Sequence, residues 1–223
     1  MRYYNPIDGV ALSSSVNYLV KRQAGKRVID FIVAALAILF TAPLYLLIAA
    51  AIKIDSRGPV FFYQMRIGRF GRPFACLKFR SMVVDADAQL SQYLLASEAA
   101  MLEWQQNQKL GADPRVTRVG RFLRRSSLDE LPQLINVLLG HMSLVGPRPI
   151  VDSEITKYGE AIEEYLSVKP GITGLWQVSG RSDCSYAERV ALDTKYVRTW
   201  CLQNDFIILL KTIPVVIQQR GSC

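Results

Sequence analysis

The sequence predicts an α+β protein, mostly helical, in which a membrane-inserted N-terminal helix leads into a compact cytosolic domain. Three observations predict this. Residues 31–52, "FIVAALAILFTAPLYLLIAAAI", contain no charged side chain. The stretch that follows, "GPVFFYQMRIGRFGRPFACLKFRSM", alternates apolar residues with Gly-Arg turns, the pattern of short strands or a hairpin. Beyond it, apolar residues recur at helical spacing over 83–109, and further helices are punctuated by the turn-rich "GPRP" and "KPGITG". The implied organisation is a loose N-terminal arm over 1–20, a membrane segment over 21–57 and one domain over 58–223.

The arm lacks any helical or strand period, and it also lacks the charged start, apolar run and small-residue cleavage site of a signal peptide. The apolar run itself is long enough to span, since about 20 apolar residues cross a hydrocarbon core. Pro43 in its middle removes a backbone hydrogen bond and favours a kink. Lys21, Arg22, Lys26 and Arg27 precede the run, and Lys53, Arg57, Arg66 and Arg69 follow it, so both flanks look cytoplasmic. A transmembrane helix and a helix-break-helix that enters one leaflet and returns, with the Thr41 hydroxyl serving the freed backbone groups, both remain open on the residues alone.

In the domain, residues 83–109 place Leu90, Tyr93, Leu94, Met101 and Trp104 at helical spacing, which predicts one amphipathic helix and a face on which a homodimer could form. Helices are also expected from about Asp129 to Leu139 and near 186–202. The apolar end "FIILLKTIPVVIQQ" reads either as a core helix or as a helix lying on the membrane with Lys211 and Arg220 at headgroup level.

With 27 Lys and Arg against 19 Asp and Glu, the net charge is +8. An anionic partner follows, whether nucleic acid, acidic lipid or a phosphorylated substrate. Cys76, Cys184, Cys201 and Cys223 are too scattered for a zinc site or a disulfide framework. No Walker or dinucleotide-binding glycine motif occurs, and no nucleic-acid-binding motif accompanies the charge.

The densest chemistry lies in "DPRVTRVGRFLRRSSLDELP". On a helix, Arg115, Arg118, Arg121 and Arg125 would share a face, and the Asp129-Glu130 pair follows directly. Arginine forks match phosphate oxygens, and Arg124, Arg148 in "GPRP", and Lys78 and Arg80 in "KFRSM" are the candidates to hold them. The acidic pair has two readings. Ser127 with Glu130 forms a capping-box pattern, so the carboxylates could simply start a helix. Alternatively, Asp129 at a helix N-terminus among arginines stays ionised and can attack a phosphoryl group, with Mg2+ held by Asp129, Glu130 and substrate phosphates. His141 shows no partner for acid-base work and reads as structural or surface. Arg181 and Trp176 are weaker contributors.

Taken together, "KRVIDFIVAALAILFTAPLYLLIAAAIKIDSRGPVFFYQMRIGRFGRPFACLKFRSM", "DPRVTRVGRFLRRSSLDELPQLINVLLGHMSLVGPRP", "KPGITGLWQVSGR" and "KTIPVVIQQRGSC" resemble the bacterial sugar transferases, the monotopic phosphoglycosyl transferases. The resemblance runs from about Lys21 to the end and is greatest to the exopolysaccharide-initiating type. It implies a re-entrant membrane helix broken at Ala42-Pro43, a catalytic domain over 58–223 with surface amphipathic helices, and residence on the cytoplasmic face of the bacterial inner membrane. It further implies transfer of sugar 1-phosphate from UDP-glucose or UDP-galactose to undecaprenyl phosphate. By motif match Asp129 is the nucleophile, Glu130 assists, Mg2+ bridges the dyad and the diphosphate, and Arg124 and Arg148 hold phosphate oxygens. Two positions depart from the family pattern. Ala42 stands where a serine is usual, and His141 where an acid is usual. A catalytically idle membrane scaffold using the same basic surface is the alternative reading.

Overall fold

The computed structural model describes residues 14–107, 110–180 and 185–217. Helix α1 runs Ser14–Asp55, so most of the expected arm lies outside the described residues, but the chain is already helical from Ser14 onward. It is the one described helix long and apolar enough to cross a membrane, with a mean hydropathy of 2.5 over its most apolar window, of which 11% is buried. That exposure separates it from the core helix of a soluble protein: Leu36, Leu39, Phe40, Leu46 and Leu47 all face outward. The expected interruption at Ala42-Pro43 is not a break in secondary structure, because the helix continues through Pro43. Just before the proline, the Thr41 hydroxyl donates to the Ala37 carbonyl at 2.6 Å, a back-bond that tends to bend helices.

The described residues divide into two compact units, one drawn from the stretches 14–41, 63–77 and 132–217, the other from 42–62 and 78–131. The boundary inside α1 falls beside the proline.

In the first unit α1 contributes a buried stripe at one-turn spacing, Lys26, Asp30 and Ala34. Lys26 pairs with Asp205, whose other oxygen accepts from the Tyr196 hydroxyl at 2.8 Å, and Asp30 accepts from the Ser143 hydroxyl at 2.7 Å. A buried lysine and two buried carboxylates are costly unless paired and hydrogen-bonded, and here they are. Strands β1 (Phe61–Ile67) and β2 (Pro73–Phe79) form the expected two-stranded hairpin. Asn136, 1% exposed, supports β2 from the side: its amide donates to the Ala75 carbonyl at 2.7 Å and accepts from the Leu77 N–H at 2.9 Å. Strand β3 (Ser143–Val145) pairs in parallel with β4 (Gly171–Thr173). Gly146 sits against this ladder, where a Cβ would meet the Lys169 carbonyl oxygen at 2.5 Å. Ile67, Ile150, Tyr158, Tyr165 and Leu166 form the unit's core.

In the second unit the amphipathic stretch expected over 83–109 is two helices, α2 (Ala86–Ala96) and α3 (Glu98–Asn107). The break is at Ser97, which is extended and whose hydroxyl accepts from the Ala100 N–H. A residue that caps the second helix ends the first. Helix α4 spans Arg118–Arg125, capped by the Thr117 hydroxyl on Gly120 N–H at 2.9 Å. The remaining helices belong to the first unit: α5 (Gln133–Leu139), α6 (Ile155–Tyr158), α7 (Ile162–Ser167), α8 (Leu175–Ser179), α9 (Tyr186–Arg198) and α10 (Leu202–Ile217). The last turns Asp205 and Ile208 inward and leaves Phe206, Leu210 and Ile213 exposed. Arg220, expected beyond it, lies outside the described residues.

Replacing Asn136 with Ala strands a backbone carbonyl and a backbone N–H together. Chemical denaturation of the detergent-solubilised protein should show a loss of about 2–3 kcal/mol.

Candidate active site

The acidic pair is mounted on a short turn in the second unit. Helix α4 ends at Arg125, and Ser127 then adopts a left-handed conformation at φ 56°, uncommon for a residue other than glycine. That reversal launches a 3-10 turn, Leu128–Glu130, which carries both carboxylates. The capping-box reading of Ser127 and Glu130 therefore fails: the Ser127 side chain makes no cap bond, and α5 begins only at Gln133. Asp129 stands before that helix and not at its N-cap.

Lys78, arriving on β2, closes the site. Its ammonium lies 2.8 Å from Glu130 Oε1 and 3.4 Å from Asp129 Oδ2. Arg124 is held close by through Nε, which donates to the Ser81 hydroxyl at 2.9 Å. Gly120 makes this approach feasible, because a Cβ there would lie 2.0 Å from the Ser81 carbonyl oxygen. The turn is anchored from behind by α1. The Tyr45 hydroxyl donates to the Leu131 carbonyl at 2.6 Å, and Asp55 accepts from the Val119 N–H at 3.0 Å. Ile48, Ile52, Phe79 and Leu123 are buried together, with Leu128 and Leu131 packed on them.

Burial raises the Asp129 carboxyl above the ordinary carboxylate range, and Glu130 adds to the rise, while Lys78 and then Arg124 oppose it. The sequence expectation that arginines and a helix terminus keep it low is thereby corrected: desolvation is the larger effect. Arg124 is itself pushed down by burial and pulled back by Asp129 and Asp113.

The other sequence candidates part company. Arg80 is 5% exposed, with one guanidinium nitrogen on the Arg57 carbonyl and the other on the Ser56 carbonyl and hydroxyl, so its visible work is closing the loop after α1. Arg115 lies off α4 and forks onto Asp113, leaving Arg118, Arg121 and Arg125 as an exposed basic face. Arg148 belongs to the first unit, where its charge joins burial in lowering Arg66. His141 is exposed against Phe74, and Arg181 lies outside the described residues. The sequence reading missed a buried group of that unit. Arg189 stacks over Trp176 and Tyr186 and contacts Glu154 at 3.1 Å, and burial pushes Asp193 up to about 6. A four-residue step from Arg189 to Asp193 on α9 was its only sequence signal.

An exposed apolar helix leading into a small α+β domain, with an acidic pair among basic side chains, is the build of a membrane-associated phosphoglycosyl transferase. The chain belongs to the bacterial sugar transferase family, whose model matches residues 21–219. It is 50% identical over 197 residues to the exopolysaccharide production protein ExoY of Sinorhizobium fredii, covering 88% of this chain and 87% of that protein. It is 46% identical over 208 residues to the undecaprenyl-phosphate galactose phosphotransferase of Salmonella typhimurium, covering 92% of this chain and 44% of the relative. A UDP-glucose:undecaprenyl-phosphate glucose-1-phosphate transferase of Caulobacter vibrioides is 44% identical over 197 residues, covering 85% and 68% respectively.

A carboxyl whose folded pKa is raised binds more protons folded than unfolded, so it costs stability as pH climbs through that interval. Asp129→Asn should therefore be more stable than wild type at pH 7, with the gap closing below about pH 4, where both states are protonated. Lys78→Met removes the strongest opposing charge and should widen the gap between itself and its Asp129→Asn double variant. Thermal melts across pH 3–8 read both effects.

Proposed function

We propose that this chain transfers a hexose 1-phosphate, glucose or galactose, from a UDP-sugar to undecaprenyl phosphate, releasing UMP, as the first membrane step of exopolysaccharide assembly. The observation that carries the reading is Lys78 bridging Asp129 and Glu130 on a turn that α1 anchors. That helix enters the membrane from the cytoplasmic side as a re-entrant element, bent at Pro43. It holds the acidic pair near the interface, where a soluble nucleotide sugar and a lipid phosphate can both arrive.

Asp129 Oδ attacks the phosphorus attached to the sugar. The bond to the UMP oxygen breaks, and Asp129 carries the phosphosugar. An oxygen of undecaprenyl phosphate then attacks the same phosphorus and releases the carboxylate, giving the polyprenyl diphosphate sugar. Burial makes Asp129 a better nucleophile by stripping its hydration, while Lys78 keeps enough of it ionised. Arg124 faces the charge that builds on the transferring group, and Arg148 and Lys78 are the further candidates for phosphate oxygens.

The donor set suits Mg2+. Among the described residues no cluster of three or more metal-ligating side chains occurs, and Mg2+ is commonly held by one or two carboxylates plus substrate phosphates and water, which Asp129 and Glu130 satisfy. When bound, the ion would neutralise carboxylate against phosphate charge.

The test is UMP release by the purified, detergent-solubilised protein given undecaprenyl phosphate, Mg2+ and either UDP-glucose or UDP-galactose. Wild type should release UMP with one sugar preferred. Asp129→Asn should lose about three orders of magnitude or more, Arg124→Gln about ten- to a hundredfold, and chelation of Mg2+ should suppress release. Without acceptor, the intact mass of wild type should rise by one phosphosugar. Undiminished release by Asp129→Asn would sink the covalent route, and absence of release with both sugars would favour the scaffold reading.

A further inference from the structure

At the base of α1 in the first unit, three cations gather with little to offset them. Lys169 lies between β3 and β4 in sequence, half-buried two residues before β4 begins at Gly171, and among the described residues its ammonium makes no hydrogen bond or ion pair. Arg27 comes from α1 and donates to the Val137 and Leu138 carbonyls at the end of α5. Both converge on Gly140, the left-handed residue ending that helix at φ 84°: a Cβ placed there would lie 3.3 Å from Arg27 Nη2 and 3.5 Å from Lys169 Nζ. Arg69, from the hairpin turn, is the third. Its Nε donates to the Ser167 carbonyl at 2.9 Å, but its Nη2 is buried without a hydrogen bond. Asp30 is the acid that faces this group, and it is already taken by the Ser143 hydroxyl and the Leu144 N–H.

Half-burying an unpaired ammonium beside two guanidinium groups is unfavourable, and burial, Arg27 and Arg69 all push Lys169 below the usual lysine range. Such a cluster is complementary to a phosphate group: Lys169 brings a point charge with its donors unspent and Arg69 an unbonded Nη2, while Arg27, whose terminal nitrogens serve the Val137 and Leu138 carbonyls, adds its charge. Its position selects the source. Directly after Arg27 the helix exposes Val28, Ile29, Phe31 and Ile32, the Arg27 guanidinium lies 5.8 Å from the Phe31 ring centre, and Leu139 next to Gly140 is 62% exposed. Charge placed where a helix turns from basic to apolar lies at headgroup depth.

We infer that Arg27, Arg69 and Lys169 form a binding site for the phosphate of an anionic membrane lipid, separate from Asp129 and independent of the transfer chemistry.

Native mass spectrometry of the full chain released from vesicles of dioleoylphosphatidylglycerol and dioleoylphosphatidylcholine tests it. Wild type should retain one phosphatidylglycerol in preference to phosphatidylcholine, Lys169→Met should retain at least tenfold less, and Lys169→Arg should restore retention. In neutral, phosphate-free detergent Lys169→Met should melt no lower than wild type, since it removes repulsion, whereas loss of an ordinary structural lysine would lower the melt. Equal retention by wild type and Lys169→Met, or a lower melt without lipid, would overturn the site. Protection of wild type alone by inorganic phosphate, without retained lipid, would overturn the lipid assignment and leave a soluble phosphate as the ligand.

Discussion

The hydrogen bond from Tyr45 to the Leu131 carbonyl is the constraint on which the acidic pair depends. It ties the turn bearing Asp129 and Glu130 to α1, and the bond from Val119 N–H to Asp55 ties α4 to the last residue of the same helix. Between these two anchors Ile48 and Ile52 pack with Phe79 and Leu123. One face of an apolar helix therefore sets both the backbone of the dyad and the helix that delivers Arg124. In this unit the exposed apolar helix and the acidic turn therefore share one structural element. The helix whose outer face is too apolar for water has an inner face that specifies where the carboxylates stand.

Electrostatic strain sits where that packing puts it. A carboxyl 7% exposed is expensive to ionise, and Lys78 offsets the cost without removing it. The carboxylate is left poorly solvated, its charge opposed chiefly by one ammonium. The buried pair in the first unit solves a different problem. Lys26 and Asp205 are locked by Tyr196 and Trp200 as well as by each other, and the nearby Asp30 is held by the Ser143 hydroxyl. Satisfied ion pairs hold helices, whereas the crowded Asp129-Glu130 pair is poised for charge to arrive.

Local pattern carried much of the fold. The charge-free run and the Gly-Arg hairpin turn are each written in a few consecutive residues. The acidic pair was visible too, but its conformation was not, because Ser127 in the left-handed region has no sequence signature and overrides the capping-box pattern. Nor could spacing show that Lys78 meets carboxylates 51 and 52 positions away, since only β2 and the turn together make that contact. The break at Ser97 was missed for a milder reason: apolar spacing continues across it, and a single capping serine is a weak interruption.

The arginines show why motif membership under-determines role. Within one short segment and its neighbours, Arg80 closes a loop on two carbonyls, Arg115 forks onto Asp113, Arg124 is steadied by Ser81, and Arg118, Arg121 and Arg125 are solvated. A guanidinium that spends its donors on carbonyls has few left for a phosphate, and one steadied only through Nε keeps its terminal nitrogens for other partners. Arg124 and Arg69 share that second arrangement, each held through Nε. The net charge of +8 therefore does not say which side chains can meet an anion; that depends on which of them keep donors unspent.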